Sequence, residues 1–352
     1  MFFLKFFTLM MSLFFFSCAK IGYVYDQGIG QMSILREGVD NELVLNNPQI
    51  PEIQKEKIKK IEQYKKYFFE YFQKPVSKIY SKTTFLKTKS VSHMVVISPY
   101  NKVEALKECF WMVGCFPYLS FFEEEKAKEY AEKKRKQEFI TYERPVYAYS
   151  TLNYFTDTIL SSFFYYEGEQ LAELIFHELF HTIFFIKDDV DLSENLAQYF
   201  GLELQFEFFK VYGQEKSVRV KQESDLFKLR QKVLERIDDL NRLYEEKQPP
   251  GVKEASLILD NFLKDDFYPS MEKYCQEIQI DKKICFPLGV KWNNASFAAY
   301  MTYEKNIEQI RILHEKTNKN LKEFFEYLVV EYEKFQNQDA KETFAEYLFE
   351  TK

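Results

Sequence analysis

The chain has 352 residues, 46% hydrophobic and 29% charged, with only 10 Gly and 10 Pro. That composition excludes collagen-like, low-complexity and disordered classes, because enough apolar surface is present to offset the ordering entropy. A net charge of −6 provides no positive field that would gather nucleic acid, so no nucleic-acid partner is expected.

Residues 1–18 read MFFLKFFTLMMSLFFFSC, with one positive charge at Lys5, an uncharged run from Phe6 to Phe16, and then Ser17 and Cys18. These are the proportions of a secretory signal, too short for a transmembrane span of about 20 residues. Phe15-Phe16-Ser17-Cys18 resembles a bacterial lipobox. Residues 1–17 are therefore expected to be a lipoprotein-type signal peptide and Cys18 the lipid-attachment residue, with an ordinary cleaved signal or an uncleaved anchor as alternatives. The corresponding location is the bacterial cell envelope, exported and lipid-anchored to the membrane. Export permits disulfides, and the simplest pairing joins Cys109 to Cys115 and Cys275 to Cys285, with free buried thiols as the other option.

Helical character runs from about 22 to 35 and again from about 50 to 72, where Ile53, Ile58, Ile61, Tyr64 and Phe68 recur at helical spacing. The β-branched run 92–98 predicts a strand, as do 139–142 and 146–149 on either side of Arg144-Pro145; between them 122–137 predicts a charged helix with a solvated face. From Glu167 onward the pattern is helical to the end. Residues 223–244 form a long amphipathic stretch stopped by Pro249-Pro250-Gly251, and a last helix pair is expected near 303–315 and 320–334. There is no internal repeat, no Gly/Ser linker and no phosphate-binding glycine loop. The fold class is α+β, with a helical periphery.

The chain has just four histidines, and two of them stand four apart in His177-Glu178-Leu179-Phe180-His181. On an α-helix both imidazoles project from one face and can share a zinc ion, while Glu178 lies where a general base must be to deprotonate a water on that ion. So few histidines make this pattern a rare accident, with a chance expectation of about 0.005 occurrences. A catalytic zinc needs a third protein ligand and an open fourth position. Among Asp188, Asp189, Asp191, Glu194, Glu203 and Glu207, Glu194 is best placed, thirteen residues after His181 in the first turn of a helix expected to start at Asp191-Leu192-Ser193. A capping-box glutamate paired with Asp191 is the alternative role.

His177-Glu178-Leu179-Phe180-His181 followed by Leu192-Ser193-Glu194-Asn195-Leu196-Ala197 resembles the bacterial family of putative zinc aminopeptidases, a gluzincin-type group of exported proteins. The resemblance extends over nearly the whole mature chain, through Gly22-Tyr23, Gly28-Ile29-Gly30-Gln31, Gly114-Cys115-Phe116-Pro117-Tyr118, Ala148-Tyr149-Ser150-Thr151-Leu152, Asn293-Asn294-Ala295 and Thr302-Tyr303. It implies a zincin-like core, one zinc ion held by His177, His181 and Glu194, Glu178 as base, and a peptide substrate. Ser193 stands where the family usually has Asn, and Asn153 where it has Gly. The parts would be 18–75 as N-terminal helices, 76–160 as the strand-containing part, 161–212 as the zinc-binding helices and 213–352 as a helical remainder, all one catalytic domain.

Two further roles stay open. Tyr149-Ser150-Thr151-Leu152 is either an edge strand on which a peptide pairs or an ordinary core strand. Tyr303 is either a hydroxyl donor to the tetrahedral oxyanion or one more of 25 tyrosines. The GxMEN motif of large gluzincin aminopeptidases is absent, so amino-terminal trimming comes from the family label alone. The rival functions are an envelope endopeptidase and a non-catalytic zinc- or peptide-binding lipoprotein.

Overall fold

A computed structural model describes residues 22–110, 114–149, 151, 155–186, 189–304, 306–338 and 343–350. The signal segment, Cys18, Ser150 and Leu152 lie outside the described residues, and of Tyr303 only the backbone is described.

The first helix, α1, spans 22–36. After β1 (Val39–Asp40) and α2 (Asn41–Asn46) comes α3 (Glu52–Tyr71), whose Ile58, Ile61, Tyr64 and Phe68 turn one apolar face inward, as their spacing requires. The strands that follow are short: β2 (Lys82–Thr84), β3 (Ser92–Ser98), β4 (Glu108–Phe110), β5 (Gly114–Phe116) and β6 (Leu119–Phe121). Next come the charged α4 (Glu124–Arg135), then β7 (Ile140–Val146) and β8 (Ile159–Leu160). From there the chain is helical: α5 (Gly168–Ile183), α6 (Val190–Phe209), α7 (Gly213–Lys247), α8 (Val252–Phe262), α9 (Tyr268–Glu277), α10 (Phe286–Gly289), α11 (Asn294–Glu304), α12 (Ile307–Thr317), α13 (Leu321–Gln336) and α14 (Phe344–Glu350). The class is α+β and mostly helical, with small sheets. Among the described residues no helix is long and apolar enough to cross a membrane.

Sheet order is β6-β3-β7, both pairings antiparallel, beside β1-β2-β8 and the hairpin β4-β5. Strand β3 is apolar without interruption from Met94 to Ile97 because both its faces are covered. Val95 packs toward Ala127 and Ala131 of α4, while Met94 and Val96 join the cluster built on α7 and α11. One expectation is corrected here: 139–142 and 146–149 are not two strands. A single strand runs through Arg144 and Pro145 and ends at Val146. Proline is tolerated because β7 is an edge strand, so the missing N–H costs no ladder bond. The long helix likewise begins at Gly213, ten residues before its clearest apolar spacing.

Both expected disulfides are present. Cys109–Cys115 staples the β4-β5 hairpin at paired positions, and Cys275–Cys285 ties the end of α9 to the start of α10.

Apolar residues gather in two large clusters. One joins α3, α5, α6, α12, α13 and α14; the other joins β3 with α7 to α11. The many phenylalanines are the material of the first. The Phe180 ring of α5 stacks on Phe200 of α6 with centroids 4.5 Å apart, and Phe200 in turn stacks on Phe324 of α13. Phe200→Ala leaves a cavity at this junction and is expected to cost about 3–5 kcal/mol in urea unfolding; a loss under 1 kcal/mol would show that the neighbouring rings collapse into the space.

Candidate metal centre

Helix α5 is buried on most of its circumference by Leu171, Ala172, Ile175, Phe176, Leu179 and Phe180. Its remaining face, Gln170, Glu173, Leu174, His177, Glu178 and His181, follows the 3.6-residue repeat and lines a cavity of about 670 Å3. Helix α6 presents Val190, Glu194 and Gln198 to the same cavity, and the end of β7 with Tyr147, Ala148 and Tyr149 after it also lines it. The entry to α5 is fixed by the buried Lys57, whose ammonium donates to the Tyr166 carbonyl and pairs with Glu167 at 2.6 Å.

The turn between the two helices is tied by side chains. Asp189 caps α6 by accepting from Leu192 N–H, and Ser193 Oγ accepts from Ile186 N–H while reaching the carbonyls of Ile186 and Asp189. The cap is thus Asp189 and not Asp191, which removes the capping-box alternative for Glu194. Ser193 does not support Glu194 by any such bond; it fastens the turn that brings α6 back over α5. The helices can then approach closely because of Gly201. A Cβ there would meet the Glu173 carbonyl at 3.0 Å and the His177 backbone nitrogen at 3.2 Å.

This crossing brings the three expected ligand residues together. Their donor atoms all lie within 4.8 Å of one another. His177 Nε2 and His181 Nε2 are 3.3 Å apart, and Glu194 oxygens lie 3.4 Å from the first and 3.6 Å from the second. Bonds of 2.0–2.2 Å at tetrahedral angles separate ligand atoms by about 3.3–3.5 Å. The donor set and its spacing therefore fit a tetrahedral zinc with one position left for the cavity side. Burial pushes the Glu194 carboxyl up, but the charge of His181 and hydrogen bonds from both histidines outweigh it and hold the carboxyl well below the usual range. Glu178, on the cavity wall beside His177, is pushed up to about 7 by burial, helped by Glu194 and Asp157 and opposed by His177. Among the described residues the buried Nδ1 of His181 has no hydrogen-bond partner.

A sequence model of the family described as Putative aminopeptidase matches residues 22–344. The chain belongs to this family. No curated protein and no solved structure matches it. A putative aminopeptidase acts on peptides, and the match takes in every described residue that lines the cavity, from Gln27 to Gln198.

The family resemblance carried several residues that the structure places away from the metal-ligand cluster. Asn294 Nδ2 donates to the carbonyls of Pro99, Tyr100 and Lys102, and its oxygen accepts from Tyr244; Asn293 donates to the Thr141 carbonyl. That motif fastens α11 to the β3 and β7 ends. Gly30 is a close approach: a Cβ there would overlap the Phe122 ring. Its neighbour Gln31 accepts from the Tyr149 hydroxyl, which brings α1 to the cavity rim. Tyr149 lines the cavity but belongs to no strand, and Thr151 turns back to donate from both N–H and hydroxyl to Asp157, each at 2.8 Å. Tyr303 lies near the end of α11. The other two histidines are bonded elsewhere, His93 to Ser90 and His314 to Tyr199 and the Lys319 carbonyl.

Sequence reasoning passed over Glu173, Gln198 and Gly201. The signal for the first was available, since Glu173 continues the His177/His181 stripe one turn earlier. Gly201 gives a direct check of the helix crossing. Gly201→Ala must displace backbone atoms by a few tenths of an ångström, and is expected to weaken zinc binding about 10- to 100-fold in a chelator competition. Unchanged affinity would show that the close contact does not set the ligand spacing.

Proposed function

We propose that this chain is a zinc-dependent aminopeptidase with a zincin-like, gluzincin-type active site, and that residues 18–352 form its single catalytic unit. The observation that carries this is the convergence of His177, His181 and Glu194 with a buried carboxylate, Glu178, beside them on the same cavity wall.

His177, His181 and Glu194 would hold the ion. Bound there, zinc supplies Lewis-acid polarisation of a peptide carbonyl and acidification of a water. Glu178 takes the proton from the attacking water and returns it to the nitrogen of the leaving amine as the C–N bond breaks. The apolar residues behind α5 exclude bulk water from the back of the site, which strengthens every charge interaction within it. Among the described residues no strand pairs with the outer edge of β7, and its Pro145 and Val146 line the cavity, so this edge offers backbone groups on which an extended peptide can lie. We place this substrate edge at β7 in place of Tyr149-Ser150-Thr151-Leu152, and we keep Tyr303 as the proposed oxyanion donor.

We also propose export to the bacterial envelope with a lipid on Cys18. Tyr25, Ile29 and Met32 form an exposed apolar stripe on α1, four residues into the helix that follows, which supports seating at a membrane surface.

The test is incubation of the purified protein with a peptide mixture, with and without chelator, and mass spectrometry of the products. Release of single amino-terminal residues, abolished by chelator and restored by zinc, is expected. Chelator-insensitive cleavage would overturn the mechanism, and internal cuts alone would replace the aminopeptidase with an endopeptidase.

A further inference from the structure

Beyond the end of α5 the cavity-lining stripe of metal-ligand residues is continued by an aromatic ring. The helix stops at Ile183, and Phe184 after it has extended backbone, φ −152° and ψ 122°. Successive side chains of an extended segment point to opposite sides. Phe184 and Ile186 accordingly turn inward, both buried in the first of the two apolar clusters, and Phe185 between them faces the cavity. Both neighbours are held. The Phe184 ring meets Tyr332 and Phe325 of α13 edge-on, with centroids 5.6 and 6.1 Å away, and Ser193 Oγ bonds both the N–H and the carbonyl of Ile186. The backbone that carries Phe185 is therefore pinned, and its ring stands edge-on to the His181 imidazole with centroids 6.2 Å apart.

Helix α6 starts across the same turn with Val190, which also lines the cavity and stands one helical turn before Glu194. Phe185 follows His181 by the same four residues. Two apolar side chains thus adjoin the ligand cluster at the turn end of the helix pair. At the opposite end the same stripes carry Gln170, Glu173 and Gln198 beside Leu174, a largely polar set. Distance gives the apolar end a chemical meaning. In a peptide whose carbonyl lies at the ligand cluster, the two residues that flank the cleaved bond are each within roughly 3.5 Å of chain from it. A wall one helical turn away, about 5.4 Å, is within reach of their side chains. Contact there removes apolar surface of both partners from water, so an apolar side chain is favoured.

We propose that Phe185 and Val190 form a side-chain subsite that takes a large apolar residue flanking the cleaved bond, so that the substrates are peptides with Leu, Phe or a similar residue at that place. This rests on the peptidase function above and adds its specificity.

The experiment uses the full chain loaded with zinc and three peptides, Ala-Ala-Ala, Leu-Ala-Ala and Ala-Leu-Ala. Wild type, Phe185→Ala and Val190→Phe are compared by the ratio of kcat/KM for each Leu peptide to that for Ala-Ala-Ala within one preparation. That ratio cancels any difference in zinc content or folded fraction between variants. One methylene in an apolar pocket is worth about 10-fold or more, so Leu at one of the two positions should raise kcat/KM of the wild type by at least about 10-fold over Ala. Phe185→Ala removes one wall and Val190→Phe fills the space, so each should lower this ratio by about 10-fold. Equal rates of the wild type on all three peptides, or a Leu preference that both variants retain, would overturn the subsite and leave the peptidase standing. Calorimetry on Glu178→Gln and on Phe185→Ala/Glu178→Gln reads binding of the same peptides without turnover. Tighter binding of a Leu peptide that is lost in the double variant, with no cleavage by the wild type, would support the subsite and overturn the peptidase. Equal binding of all three peptides to Glu178→Gln, again with no cleavage by the wild type, would overturn both.

Discussion

Glu178→Gln is expected to lower peptide hydrolysis by about 100- to 10,000-fold, the usual contribution of a positioned general base, with zinc content unchanged. The substitution keeps shape and hydrogen-bonding capacity but removes the group that accepts the water's proton. Glu178 is not one of the three converging ligand residues, so the metal cluster should survive. Its burial makes glutamine an easier occupant than an ionised carboxylate, so the variant should fold at least as well as the wild type. Steady-state kinetics and metal analysis on the same preparation check both halves. Full activity would remove Glu178 from the mechanism; loss of zinc along with activity would recast it as a ligand.

Removing a ligand should act differently. Glu194→Ala takes away one of three donors, and is expected to weaken zinc binding by more than the about 10- to 100-fold that loss of a supporting residue costs. Activity at limiting zinc falls with it. The two histidines lose the carboxylate that lies within 3.6 Å of each. Because an ion that binds only the folded chain stabilises it by mass action, about 4 kcal/mol at a thousandfold excess over Kd, zinc should raise the melting temperature of the wild type and not of Glu194→Ala. Calorimetry with and without zinc measures this. An equal zinc-dependent shift in both proteins would place the ion elsewhere.

The site was legible in the sequence where local geometry alone decides it. His177, Glu178 and His181 share a turn of one helix, so their spacing sufficed. Glu194 was harder, because its approach depends on the turn held by Ser193 and Asp189 and on the absence of a side chain at Gly201. A lone glycine inside a helix pattern carries no sign of which backbone comes close to it. The same holds for Glu173, an ordinary helical glutamate until α6 is laid across it. In the fold, amphipathic helices such as α3 and α13 announced themselves by spacing. Short strands did not: β1, β2 and β8 are two or three residues long and exist only through pairing with distant partners. The break expected around Arg144-Pro145 failed for a related reason, since whether proline interrupts a strand depends on whether that strand lies at an edge, which is a property of the sheet.

We propose above all that His177, His181 and Glu194 hold one zinc ion. Anomalous diffraction at the zinc edge from crystals of the zinc-loaded protein tests it most directly. A single peak is expected about 2.0–2.2 Å from both Nε2 atoms and a Glu194 oxygen, with Glu178 beside it and unbonded to it. A peak at other residues, or none at this cluster in a zinc-saturated crystal, would contradict it.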